Sequence, residues 1–83
     1  MKHADHNTLA QLSPLLEQIR CRVPPLKEKG EGKFYFKSTA LLHFHDDPTG
    51  IFADLKVNGD WKRYPVNNAQ EYATLLDALN QQL

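Results

Sequence analysis

Apolar residues recur at steps of three and four in the first quarter of the chain, at Leu9, Leu12, Leu15, Leu16, Ile19 and Val23. This spacing places them on one face of a helix, which we predict to be continuous but bent at Pro14 over roughly residues 8–22. The alternative is a helix that begins at Ser13, because serine followed by proline is a good N-cap and first-turn pair. Pro24 and Pro25 end the element, since proline lacks an amide donor.

The middle of the chain alternates apolar and polar residues with a period of two, which predicts β-strands. We predict a four-strand meander over residues 33–37, 40–46, 51–57 and 61–66. Residues 47–50, with the sequence DPTG, have the pattern of a type I turn. Asn58-Gly59 is a strong hairpin signal, because both residues tolerate a positive φ. Pro65 makes the fourth strand an edge strand, since it cannot donate to a ladder.

A second helical pattern follows the last strand. Its apolar stripe is Tyr72, Leu75, Leu76 and Leu79. Asn68 is the predicted N-cap, with Glu71 three residues later as its reciprocal partner. The order helix, four strands, helix predicts a single α+β domain over residues 1–83, in which both helices cover one face of an antiparallel sheet. We expect residues 1–6 to be frayed and residues 24–32 to form a mobile loop.

Strand register decides which side chains share a face of the sheet, because a slip of one residue sends a whole strand's side chains to the opposite face. With a two-residue loop in each of the last two hairpins, the helix-covered face carries Ala40, Leu42, Phe44, Ile51, Ala53, Leu55, Val57, Tyr64 and Val66. The other side, here named the outer face, carries His43, His45, Phe52, Asp54, Lys56, Trp61 and Arg63. A bulged loop at Gly50 would reverse this. We disfavour the bulge because it buries two histidines, and an unpaired buried polar group costs about 1–3 kcal/mol.

Composition excludes several classes of protein. The 83 residues are 41% hydrophobic and 24% charged, with a formal net charge of zero, which argues against a dedicated nucleic-acid binder. No apolar run approaches the roughly 20 residues that span a bilayer. The first twelve residues also lack the apolar segment of a secretory signal. A single cysteine excludes an internal disulfide framework, and we expect this residue, Cys21, to lie in the core. The absence of disulfides, of an apolar span and of a signal segment together predicts a cytoplasmic protein with no membrane partner.

Charge is unevenly distributed along the chain. Six of the ten basic residues lie within residues 20–37, whereas most acidic residues lie after residue 45. The simplest interpretation is a solvated surface of mixed sign. The alternative is a dipolar fold that attracts a charged partner or a second copy of the chain.

The outer face holds the candidate chemistry of this chain. The predicted register puts His43, Asp54 and Arg63 in one row, either as a cross-strand ion ladder or as a polar site in which a carboxylate orients an imidazole. We favour the ladder, because a flat sheet excludes little water. His43 and His45 point the same way and, with Asp54, offer three metal ligands. A zinc site requires a further ligand, so we assign no metal, cofactor or catalytic residue. We place a functional pH response of the two histidines slightly ahead of a metal site, because imidazole titrates near neutrality.

The aromatic residues of the outer face suggest binding. Phe52 and Trp61, with Lys56 and Arg63 nearby, are able to stack on bases or on a flat ligand. Exposed aromatics beside arginine are also typical of protein interfaces. They are equally typical of a plain aromatic patch packed across neighbouring strands. We favour the interface and the plain packing equally over nucleic acid, because a net charge of zero disfavours a nucleic-acid partner.

Two segments carry a resemblance to other proteins. Residues 41–56, LLHFHDDPTGIFADLK, and residues 61–66, WKRYPV, follow a pattern of the type LHFHxDPxGxFAD and then an aromatic residue, x, R, F or Y, P and V. This pattern resembles that of a small group of uncharacterised bacterial proteins. The resemblance covers about a third of the chain, and it implies a bacterial cytosolic setting without an assigned activity.

From the sequence, we expect a small binding module that is not an enzyme and that engages a protein partner or itself through the outer face. The first alternative is a small enzyme or metal-dependent site built on His43, His45 and Asp54. The second is weak nucleic-acid binding through Phe52, Trp61, Lys56 and Arg63.

Overall fold

A computed structural model describes residues 2–22 and 26–83 of the chain. In chain order, the elements are β1 (Lys2–His3), α1 (His6–Gln11), α2 (Ser13–Arg22), β2 (Lys27–Glu28), β3 (Phe34–Phe36), β4 (Thr39–Asp47), β5 (Gly50–Val57), β6 (Asp60–Pro65) and α3 (Ala69–Gln81). None of these helices is long and apolar enough to cross a membrane.

The described strands form one antiparallel sheet in the order β2-β3-β4-β5-β6. Strand β1 pairs with β4 through Lys2 and His3, on the side of β4 that β3 occupies further along. The predicted α+β class and the four-strand meander are confirmed as β3 to β6, and every predicted strand end lies within one residue of the observed one. The sheet is larger than predicted because β1 and β2 add two residues each.

The hydrophobic core lies between the helices and one face of the sheet. Its buried members include Leu9, Leu12, Leu15, Leu16 and Ile19 from the first helical region, Leu42, Phe44, Ala53, Leu55 and Val66 from the sheet region, and Leu75, Leu76 and Leu79 from α3. Ile51, Val57, Tyr64 and Tyr72 pack against this core while remaining partly exposed. The predicted helix-covered face is therefore the face that is buried, with the exception of Ala40. The β3–β4 pairing shifts register between Leu42 and Ala40, so Leu41 joins the core and Ala40 lies outside it, only partly buried.

The N-terminal region differs from the sequence-based expectations in several ways. The predicted continuous helix is two helices, because the chain turns at Leu12, whose amide bonds to the carbonyl of Leu9. Pro14 lies in the first turn of α2, where no amide donor is needed. Cys21 is exposed, so the prediction that it lies in the core is wrong. Val23, Pro24 and Pro25 lie outside the described residues.

Residues 2–6 were expected to fray and instead take part in regular structure. His3 pairs with His45 in the sheet, and the amide of Ala4 bonds to the carbonyl of Phe44 at 3.0 Å. The Asp5 side chain then caps α1 by accepting from the amide of Thr8 at 2.9 Å. These hydrogen bonds give the segment a regular structure, although its polar sequence has no apolar periodicity that would predict one.

Part of the expected loop over residues 24–32 is also ordered. Lys27 and Glu28 form β2 and pair with β3. Glu28 accepts two hydrogen bonds from Arg20, both at 2.7 Å, and one from the amide of Gly32 at 2.9 Å. Charge-assisted hydrogen bonds therefore hold this segment against α2. The polar and glycine-rich composition of the segment does not indicate this contact.

Helix α3 begins as predicted at an Asn68 N-cap, whose side chain accepts from the amide of Glu71 at 2.9 Å. The Glu71 carboxylate reaches back to the amide of Asn67 at 2.7 Å, one residue before the expected partner. The Asn67 side chain in turn bonds to both backbone groups of Ile51, at 2.9 and 3.1 Å. The start of α3 is thus tied directly to β5.

Two-residue turns set the register of the sheet. Asp47 pairs with Gly50 and Val57 pairs with Asp60, so each of the last two hairpins has an even loop, as predicted. Asn58 and Gly59 have φ values of 53° and 88°, both in the left-handed region that this hairpin turn requires. The bulged alternative at Gly50 is therefore excluded.

Gly59→Ala tests the contribution of that turn. Space around Gly59 is open, so the substitution adds no steric contact and acts through the backbone alone. We expect a loss of about 1–2 kcal/mol in the free energy of unfolding, measured by urea denaturation, because an L side chain disfavours the left-handed region. Asn58→Gly is the control and should change stability by less than about 0.5 kcal/mol. Equal stability of Gly59→Ala and the native chain would contradict this account.

Candidate functional site

The outer face is assembled by pairing across β4, β5 and β6. His43 lies opposite Asp54, and Asp54 lies opposite Arg63, so the predicted row exists. His45 pairs with Phe52, and Lys56 pairs with Trp61, on either side of this row. The two histidines alternate along β4 with buried core residues, so their rings lie on the side of the sheet away from the helices. All seven predicted residues therefore share one surface.

Asp54 is the electrostatic centre of the outer face. It is only 8% exposed, and its two carboxylate oxygens accept from Arg63 Nε at 2.9 Å and from Arg63 Nη2 at 3.0 Å. This bidentate bond lowers the pKa of Asp54 below its ordinary value, and it raises the pKa of Arg63. Asp54 is therefore ionised at neutral pH, and the Asp54–Arg63 part of the predicted row is a cross-strand ion pair. His43 forms no ion pair with Asp54, so the ladder does not extend to β4 within this row.

His45 is held close to the same carboxylate. Its Nδ1 lies 2.9 Å from Asp54 Oδ2, which is an ion-pair distance. The two atoms do not form a hydrogen bond, so this buried ring nitrogen has no hydrogen-bond partner among the described residues. Burial lowers the pKa of His45, an effect that the Asp54 charge opposes.

His43 is the second half-buried imidazole, and its Nε2 is likewise buried with no hydrogen-bond partner. Its ring centroid lies 5.1 Å from that of Trp61 at an angle of 34°. Burial is the main reason that the pKa of His43 is lowered, and the neighbouring His3, His45 and Lys33 lower it further. Both histidines are therefore expected to be neutral at pH 7.

His3 completes a cluster of three imidazoles that the sequence analysis missed. Its ring centroid lies 4.6 Å from that of His45 and 5.9 Å from that of His43. It arrives there because β1 pairs with β4, and side chains of directly paired residues lie on the same face. A two-residue strand leaves no periodic signal in the sequence, so its position could be found only from the structure.

The outer face is less open than a flat sheet. The His45 side chain is 14% exposed and that of Asp54 is 12% exposed, whereas that of Arg63 is 49% exposed. Neighbouring rings and the guanidinium of Arg63 supply this cover. The site is thus a shielded polar centre beside an exposed aromatic and cationic rim.

Trp61 forms the exposed part of this rim. It is 45% exposed, which is unusual for the largest apolar side chain. The His43 ring lies beside it, and Lys56 Nζ sits 5.4 Å from the centroid of the indole. A cation–π contact of this kind contributes about 0.5–1 kcal/mol at an exposed site. Trp61 is therefore oriented while much of its surface stays in contact with solvent.

The geometry provides no preformed metal site. Within residues 2–22 and 26–83, no three histidine, cysteine, aspartate or glutamate side chains are arranged to hold a metal ion. Both oxygens of Asp54 are already bound by Arg63. Metal binding at His43 and His45 would therefore require Asp54 to exchange its guanidinium partner.

No protein-family model, curated protein or solved structure matches this chain. The resemblance to the bacterial group stays a prediction.

The lowered pKa values of His43 and His45 predict that acid destabilises the fold. The unfolded chain binds protons near the ordinary histidine pKa of about 6.5, whereas the folded chain resists them. Stability is therefore fully present above that pH and is lost as the pH falls below it, toward the lowered folded-state values. The charges facing the two rings are those of His3, Lys33, Asp54 and Arg63.

We expect the double variant His43→Gln/His45→Gln to lose less stability than the native chain between pH 7.5 and pH 5.5 in urea unfolding. His6→Gln is the control of opposite sign, because a bond to Glu31 raises the pKa of the exposed His6. The stability that His6 contributes is present at low pH and is lost as the pH rises through its folded-state pKa. An unchanged pH dependence in the double variant would contradict the burial argument.

Proposed function

We propose that this protein is a small binding module, not an enzyme, that contacts a protein partner through its outer face. The observation that carries the proposal is the exposed yet oriented indole of Trp61. Tryptophan and arginine are the residues most enriched among those that dominate the binding energy of protein interfaces. A side chain that is already oriented loses less conformational entropy when a partner covers it.

The surroundings of Trp61 support this proposal. Arg63 is half exposed while its charge is balanced by the buried Asp54, so it offers a fixed, planar donor surface at the rim. Lys56 adds a cation, and the partly exposed Phe52 extends the apolar area on the far side of the row. An apolar centre with a polar rim is the usual composition of a protein interface. The partner is either another protein or a second copy of this chain.

Trp61→Ala tests the proposal. We expect it to weaken partner binding by about 2 kcal/mol or more, which is roughly thirtyfold in Kd, because the substitution removes the anchor. Lys62→Ala is the matched control, because Lys62 is the next residue along β6, is also exposed, and points to the opposite face of the sheet. Sedimentation of each purified variant detects self-association. A photo-crosslinker placed at position 61 or at position 62 reports which face a partner covers.

Equal cross-linking from the two positions, together with equal sedimentation of Trp61→Ala and native protein, would contradict binding through this face. A concentration-dependent dimer that only Trp61→Ala disrupts would identify the partner as a second copy.

The alternative of an enzyme or metal-dependent site on His43, His45 and Asp54 has one supporting observation. His43 Nε2 and His45 Nδ1 are buried ring nitrogens without hydrogen bonds, and the ring of His3 lies beside them. Neutral imidazole nitrogen is a common zinc ligand. The engagement of Asp54 with Arg63 counts against this alternative, so it ranks second.

A zinc titration tests that second candidate. If a site exists, the ring NMR signals of His43 and His45 should saturate at micromolar zinc, and His43→Ala should abolish the change. His6→Ala is the control, because His6 bonds to Glu31 away from this cluster. Signals that move only gradually into the millimolar range would end the metal hypothesis.

Nucleic-acid binding through Phe52, Trp61, Lys56 and Arg63 has the least support. The charge of Arg63 is already neutralised by Asp54, and the ring of Trp61 is already contacted by Lys56. Nucleic-acid affinity should fall steeply with added salt, which separates this alternative from a protein interface.

We also propose a cytosolic, bacterial setting for this activity. The exposed thiol of Cys21 supports the first part, because an exposed free cysteine persists best in a reducing compartment. The bacterial setting rests on the sequence resemblance alone.

A further inference from the structure

A shallow cavity of about 220 Å³ lies at the β2 edge of the sheet, away from the residues of the outer face. Lys27, Lys29, Tyr35, Lys37 and Ser38 line it. Three of the six basic residues that cluster in residues 20–37 of the sequence thus meet around one cavity. The basic region is therefore partly a patch, which the sequence alone left open.

Local backbone geometry brings these side chains together. Lys27 is directly paired with Tyr35, so the two side chains lie on the same face of the β2–β3 pair. Lys37 and Ser38 have φ values of 51° and 68° and form a tight turn that leads from β3 into β4. Lys29 Nζ lies 5.1 Å from the centroid of the Tyr35 ring.

The positive charge of this cavity is not neutralised by neighbouring acids. No carboxylate of residues 2–22 or 26–83 lines it. Glu28, the acidic residue nearest in sequence, bonds to Arg20 and Gly32, and Glu31 bonds to His6. Among the described residues, neither Lys27, Lys29 nor Lys37 forms an ion pair. Three lysines without ion-pair partners therefore border one cavity in a chain whose net charge is zero. The ammonium of Lys37 lies over the Phe36 ring, 5.3 Å from its centroid.

The cavity also carries two hydroxyl groups, those of Tyr35 and Ser38, which have no hydrogen-bond partner within the described part of the chain. The wall thus offers ammonium and hydroxyl donors without a competing carboxylate. Lysine binds phosphate as a point charge, and hydroxyl groups donate to the remaining phosphate oxygens. A group with several negative charges suits this lining better than a single carboxylate does.

We propose that this cavity binds the diphosphate group of a small phosphorylated molecule. Its volume is below the range of about 300–1,000 Å³ that is usual for whole drug-sized ligands, so it holds the phosphates and leaves the rest of the molecule outside. This site is independent of the outer face and of the function proposed for it.

Inorganic pyrophosphate is the first probe, in a titration followed by NMR chemical shifts at low salt and without added metal. We expect saturation in the micromolar to low millimolar range, about tenfold weaker binding in the double variant Lys27→Gln/Lys29→Gln, and progressively weaker binding as salt is added. Lys62→Gln is the control: it changes an exposed lysine on β6, at the opposite edge of the sheet, and should alter affinity less than twofold.

Adenosine diphosphate and orthophosphate distinguish the sources of the phosphate. If adenosine diphosphate binds more tightly than pyrophosphate, and Tyr35→Ala removes this difference in affinity, the ligand is a nucleotide. Equal binding would assign diphosphate alone. Thermal unfolding of each variant checks that the fold is retained.

Three results would overturn the proposal. The first is the absence of saturation by about 10 mM pyrophosphate, which corresponds to negligible affinity. The second is equal affinity in Lys27→Gln/Lys29→Gln and native protein. The third is binding of a single-stranded oligonucleotide without binding of pyrophosphate, which would assign the patch to nucleic acid.

Discussion

The parity of two tight hairpins is the constraint on which the rest of this structure depends. Because each loop contains two residues, side chains alternate in one register across β5, β6 and the part of β4 from Leu42 to Asp47. One set becomes the buried layer beneath the helices, and the other becomes the polar and aromatic surface. An additional residue in either loop would exchange these sets in the strands that follow. Two short segments of turn sequence thus determine both the stability of the core and the existence of the candidate site.

Asp54 then organises the surface that this parity creates. A buried carboxylate would be costly if left alone, but Arg63 supplies two hydrogen bonds and a balancing charge. His45 approaches the same carboxylate, and the His43 ring lies against Trp61. Each polar group therefore helps to fix a neighbour. This arrangement supports the binding surface that we propose, because both oxygens of the carboxylate are already bound by Arg63.

The sequence was most informative where local chemistry determines backbone geometry. The Asn58-Gly59 turn, the turn over residues 47–50 and the Asn68 cap were all predictable, because few residue types support these conformations. The pairing of His43, Asp54 and Arg63 followed from them by counting residues. The Glu71 side chain reaches back toward the N-cap as predicted, but it accepts from the amide of Asn67, one residue before the predicted Asn68.

Features held by isolated polar contacts were not predictable. The short strand that carries His3, the ordering of Glu28 against Arg20 and the break at Leu12 each depend on a few hydrogen bonds between specific atoms. Such bonds leave no periodic pattern. The gathering of Lys27, Lys29 and Lys37 around a cavity likewise depends on how β2 and β3 meet, which the charge content of the segment does not reveal.

Strand β6 has a further consequence for how this molecule meets others. It lies at the border of the sheet, bears the adjacent cations Lys62 and Arg63, and ends at Pro65, which brings no amide hydrogen. Positive side chains and proline are the usual means by which proteins prevent strand addition at such a border. Filament-like growth of the sheet through β6 is thereby discouraged, so the partner that we propose would cover Trp61 on the face of the sheet and would not extend the sheet at its edge.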